Sequence, residues 1–233
     1  MTSKTAPLEG TSASARERLI DAALTLFNSR GYAATTVREI CEAAGVTKPV
    51  LYYHFRNKEG IYLHVMNEGF LDFASTITRA LDRQGTATER LHGLLQDTYA
   101  LFLRHVPEAR LMHAMYYGPP QGAPAYDFDR YHQNFEDAVR GVLEEGAAAG
   151  EFRLGPLDVM TWVVLGCMNT AIELRLCHPE RAIDGPDLAK MVDIVLAGLA
   201  GPLRRPVARR TGRAAARPPK RRGSRGPSKR ASR

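Results

Sequence analysis

Between Thr35 and Phe55 the sequence TTVREICEAAGVTKPVLYYHF carries helix punctuation at close intervals. Thr36 with Glu39 three residues later is a capping box, with the acid also favoured by the first-turn dipole. Gly45 ends that helix, Thr47 can cap the next one, and Pro49 lies in a first turn where its missing N–H does little harm. Two helices of about two turns, joined by a tight glycine-containing turn, are therefore expected at Thr36–Ala44 and Lys48–Phe55. That is the spacing of a helix-turn-helix.

The remainder is helical by the same criteria. Leu19, Ile20, Ala23, Leu24 and Phe27 share one face before Gly31, and Asn57 can cap a helix whose apolar residues recur at Tyr62, Met66, Phe70, Phe73, Ile77 and Leu81. Further helices are expected at Glu89–Val106, at Arg110–Tyr117 after a break at Pro107, around Phe128–Val142, and at Leu157–Leu174 and Pro186–Ala200. No alternating strand-length run of Val and Ile occurs. The expected fold is all-α with about nine helices: residues 1–13 disordered, 14–60 the helix-turn-helix domain with a helix from 57 leading onward, 61–201 a second helical domain, and 202–233 a disordered basic tail.

Charge separates these regions. The chain is +7 overall, yet thirteen Lys and Arg and no acid lie between Arg204 and Arg233; residues 1–66 are +2 and residues 67–203 are −8. The basic pI therefore describes a tail, which excludes a uniformly cationic nucleic-acid coat. Two readings of the tail stand: sequence-independent attraction to DNA phosphates, or a solvated terminus. Cys41, Cys167 and Cys177 are too few and scattered for a disulfide framework or a zinc site, in keeping with a cytoplasmic protein. Val159–Ile172 is uncharged but, at fourteen residues, too short to cross a bilayer, so no membrane partner is expected. No His-Glu-x-x-His, Gly-x-Ser-x-Gly or phosphate-cradling loop is present; neither enzyme chemistry, a cofactor nor a metal is implied.

The stretch Arg18–Tyr62 closely resembles the N-terminal DNA-binding domain of the TetR/AcrR family of bacterial transcriptional regulators. The resemblance rests on Ala22-Ala23, Leu26-Phe27, Gly31-Tyr32, Thr35-Thr36-Val37, Ile40, Ala44-Gly45-Val46, Leu51-Tyr52-Tyr53-His54-Phe55 and Lys58-Glu59. By position it implies a DNA-reading surface of Thr47, Lys48, Pro49, Val50, Tyr52, Tyr53 and His54, with Arg38 and Lys58 adding contacts. Lys48 is the strongest candidate for a base edge, and the tyrosines and histidine suit phosphate. The resemblance further implies a homodimer reading palindromic double-stranded DNA, and a small-molecule effector cavity. Val159, Val163 and Ile172, with Leu188, Met191, Val195 and Leu199, are the expected dimerisation residues. The expected cavity residues are Met112, His113, Met115, Tyr116, Tyr117, Tyr126, Phe128, His132, Phe135, Trp162, Met168, Asn169 and Glu173, walls suited to an apolar or aromatic ligand. The expected function is a ligand-released repressor; a ligand-independent regulator or an activator would share these features.

Overall fold

A computed structural model describes residues 13–152 and 155–200, without the side chains of residues 199 and 200. The N-terminal segment expected to be disordered lies outside this range except for residue 13, and the basic tail lies outside it entirely. The described residues form nine α-helices and one 3-10 turn, with no strand among them. Helices α1 (Ala15–Arg30), α2 (Val37–Ala44) and α3 (Lys48–Phe55) make the head. Then follow α4 (Lys58–Leu81), α5 (Ala87–Arg104), α6 (Val106–Tyr117), α7 (Asp129–Ala148), α8 (Leu157–Cys177), the turn Pro179–Arg181 and α9 (Gly185–Ala200).

The helix starts follow side-chain chemistry. Ser14, Thr36 and Thr86 each accept from the backbone three residues on, while Glu17, Glu39 and Glu89 return the bond. Asn57 Oδ1 accepts from Gly60 N at 2.7 Å to start α4. Two expectations differ in detail. Thr47 occupies the cap position of α3 but makes no capping side-chain bond. Pro107 opens α6 from its first turn rather than separating two helices by a loop, so α6 begins four residues earlier than Arg110.

Two buried clusters form. One joins Leu19, Ala23, Phe27, Ile40, Leu51, Phe55, Tyr62 and Met66 of the head and the start of α4 to Leu111 of α6. The other is built by the far half of α4 with α5, α7, α8 and α9, around Leu91, Leu94, Tyr99, Val139, Leu143, Val164 and Leu188. Helix α4 thus serves both cores. Because Leu111 is fully buried in the first, and Met112, Met115, Tyr126 and Phe128 pack against it, the head core is completed by residues far along the chain.

Candidate nucleic-acid interface and ligand cavities

Gly45 adopts the left-handed conformation (φ 62°, ψ 38°), and the next residue's N–H donates to the Cys41 carbonyl at 3.0 Å. An L side chain is disfavoured there, so glycine sets the angle at which α3 leaves α2. Leu51 and Phe55 anchor α3 inward. Thr47, Lys48, Pro49, Tyr52, Tyr53 and His54 are left exposed, with Tyr53 85% accessible, while Val50 is half-buried. Arg38 stands exposed on α2, 3.8 Å from Glu42.

The turn after α3 is tight. Arg56 has φ 63°, and the Asn57 N–H reaches the Phe55 carbonyl at 2.7 Å. A Cβ on Gly60 would lie 1.9 Å from that same carbonyl oxygen, so only glycine lets α4 pass so close to α3. Lys58 is placed differently from its sequence assignment. Its Nζ donates to the carbonyls of Tyr32 (2.7 Å) and Thr35 (2.8 Å) and lies 4.1 Å from the Tyr32 ring centroid. Burial holds its pKa below the usual lysine value. The ammonium ties the α1–α2 turn to α4 instead of standing free for DNA.

Two cavities lie among the helices. The first, about 590 Å³, is bounded by α6, α7 and α8; it brings together Met112, His113, Tyr116, Tyr117, Phe128, His132, Asn169 and Glu173 from the expected set, with Tyr131 and Ile172 added. Its wall is aromatic: the Tyr116 ring sits 4.8 Å from His132 and 4.7 Å from Tyr117, and His113 sits 4.8 Å from Tyr117. The second, about 630 Å³, lies between α1, α4, α5 and α6 and shares Ala109, Met112, Tyr131 and Ile172 with the first. Sequence reasoning did not anticipate it, because α1 belonged to the head and its outward residues had no assigned partner.

Five expected cavity residues lie elsewhere. Met115 and Tyr126 pack on the head core, the Tyr126 hydroxyl donating to the Met66 carbonyl at 3.0 Å. Phe135 and Met168 are ordinary core, buried between helices of the second cluster. Trp162 is 60% exposed on the outer side of α8. The loop after α6 also reaches the head, Gln121 Oε1 accepting from the Tyr32 N–H at 2.9 Å, while the Tyr131 hydroxyl of α7 donates to the Met66 carbonyl of α4 at 2.8 Å.

Comparison with known proteins decides the family. A model of the bacterial regulatory proteins of the tetR family matches residues 19–65, and a tetracyclin repressor-like C-terminal domain model matches residues 84–173. The HTH-type transcriptional repressor KstR2 of Rhodococcus jostii is 30% identical over 197 residues, covering 80% of this chain and 92% of that protein. The chain belongs to the tetR family.

The architecture of this tetR-family protein agrees. The crystal structure of the TetR family regulator PfmR from Thermus thermophilus has a TM-score of 0.63 at 24% identity, covering 78% of this chain and 98% of that one. A tetR-family protein from Rhodococcus RHA1 has a TM-score of 0.65 at 21% identity, covering 81% and 98%. As a member of the family, the chain is a DNA-binding transcriptional regulator.

The tetR-family body also carries an uncovered apolar face. Val159, Trp162 and Val163 of α8 and Ile194 of α9 are exposed, and Ile194, at 73%, was missed from the sequence. Of the other expected dimerisation residues, Leu188 is fully buried in the chain's own core and Ile172 lines both cavities. Met191 and Val195 are partly buried against that core, and the Leu199 side chain lies outside the described ones. Helix α8 is long and apolar enough to cross a membrane by length and composition alone, but Met160, Val164, Leu165, Met168 and Ala171 face this core. Among the described residues no His, Cys, Asp or Glu side chains are grouped to hold a metal.

Proposed function

We propose that this protein is a cytoplasmic homodimeric repressor that binds a palindromic operator and is released by a small, largely apolar or aromatic ligand. The observation that carries the reading is the division of labour on α3. Leu51 and Phe55 are spent on the fold, while Lys48, Tyr52, Tyr53 and His54 are free to enter a major groove and contact its phosphates. Repression is favoured by the relative named a repressor, aligned over nearly its whole length. A relative named an activator, FasR of Mycolicibacterium smegmatis, is 36% identical over 90 residues, or 39% of this chain.

Dimerisation is supported by the Val159–Trp162–Val163–Ile194 face, since two copies related by a two-fold axis would cover it and present paired recognition helices. Release by a ligand is supported by the aromatic cavity and by the bonds from its neighbouring loop to the head. Filling the cavity would move Phe128 and Tyr131, and with them the Gln121 contact to Tyr32. In vitro selection of DNA fragments bound by the purified protein tests the reading. Enrichment of an inverted repeat is expected, and recovery of unrelated or single-copy half-sites would overturn it.

A further inference from the structure

The cavity between α1, α4, α5 and α6 is chemically unlike its aromatic neighbour. Its walls are aliphatic and aromatic, including Ile20, Phe73, Leu101 and Phe102, and its volume of about 630 Å³ suits a drug-sized molecule. Thr98 closes part of that wall and is 4% exposed.

The mouth is strongly biased in charge. Glu17, Glu68, Asp72 and Glu108 surround it against one guanidinium, Arg16. Arg16 is itself spent on His64 (2.8 Å to Nε2), and burial with that neighbouring cation holds His64 below its usual pKa. Glu68 and Glu108 face only histidines, at 3.9 and 3.6 Å. A cleft with low-dielectric walls and carboxylates of one sign concentrates cations and repels anions.

We infer that this cavity is an effector site for a cationic amphiphile, whose apolar body fills the space past Thr98 and whose amine or quaternary ammonium rests among the carboxylates of α1 and α4. The inference rests on the reading that a small ligand controls DNA binding, and it names that ligand's class and place. Because Ile20 and Glu17 of α1 form part of the wall, a bound molecule touches the head directly.

Calorimetry on the full chain without DNA tests this with decyltrimethylammonium and decanoate, both below micellar concentration. The ammonium is expected to bind about tenfold more tightly than the carboxylate, with the difference shrinking in salt. The double variant Glu68→Gln/Asp72→Asn should level the two. Gly69 lies in the cavity wall, and a Cβ there meets only Tyr131 Oη at 3.4 Å and Met112 Sδ at 3.9 Å, so Gly69→Leu should fill the space and abolish binding without lowering the melting temperature. Decanoate binding as tightly as the ammonium, or full binding by Gly69→Leu, overturns the inference; should Gly69→Leu not fold, an undiminished preference for the ammonium in Glu68→Gln/Asp72→Asn does so. Tight probe binding with no release from a selected operator would leave the site standing and sink ligand-controlled release instead.

Discussion

Lys48 and Lys58 look alike in the sequence, each the first residue of a helix in the stretch that resembles a DNA-binding domain, yet their surroundings give them opposite jobs. Lys48 is exposed on α3, so its removal leaves no group unpaired. Lys48→Ala should therefore weaken specific DNA binding by about 1–3 kcal/mol, the range for a base-edge contact, with an unchanged melting temperature. Lys58→Ala should instead lower thermal stability, because the Tyr32 and Thr35 carbonyls lose a charge-assisted donor. About 1.5 kcal/mol is expected, the lower end of the range for such bonds, because the ammonium is only partly buried. Fluorescence-anisotropy titrations beside thermal melts separate the two. Equal behaviour of the variants would refute the distinction. Nothing in the sequence near Lys58 signals it, since the carbonyls it serves lie 26 and 23 positions earlier and turn towards it only once α1, α2 and α4 have packed.

At the scale of elements, helix starts were readable from sequence because a cap is a local transaction among four residues. The Thr36–Glu39 box is an instance with a pH signature. The Thr36 hydroxyl and N–H hold the Glu39 carboxyl below its usual pKa. A carboxyl whose folded pKa is depressed stabilises the fold above its unfolded pKa, and that contribution disappears as pH falls through the folded value. Acid unfolding of the head should thus steepen in that window, and Glu39→Gln, which cannot ionise, should flatten it in melts recorded against pH. What sequence could not convey is which core a helix joins. Helix α6 reads as a body helix by position, yet Leu111 is fully buried against Leu19, Phe27 and Tyr62 of the head core's cluster. Leu111→Ala should cost about 2–5 kcal/mol, the usual loss for a buried leucine. Hydrogen exchange should show the opening in α1 and α4 as well as in α6; protection lost from α6 alone would refute a shared core.

For the whole molecule, the all-helical architecture was legible because periodicity and caps recur along the chain and no strand pattern competes with them. The sorting of apolar residues between cavity, core and outer face was not. Helix α8 is apolar on several sides, and its periodicity does not say which side meets α7 and α9. Trp162 was accordingly assigned to the cavity on its chemistry, whereas it stands outside beside Val159 and Val163. If two copies pair through this face, Trp162→Arg should yield monomers in sedimentation experiments while leaving the melting temperature of each chain nearly unchanged. Operator affinity should then fall by about 100-fold or more, because the second half-site is no longer tethered to the first. A variant that remains dimeric would place the interface elsewhere. Trp162 is also the only tryptophan in the chain, and it lines neither cavity. Nature has left the molecule with its one indole on the surface that pairing would dry, so tryptophan emission should move to the red on dilution and stay fixed when DNA is added to an already paired sample.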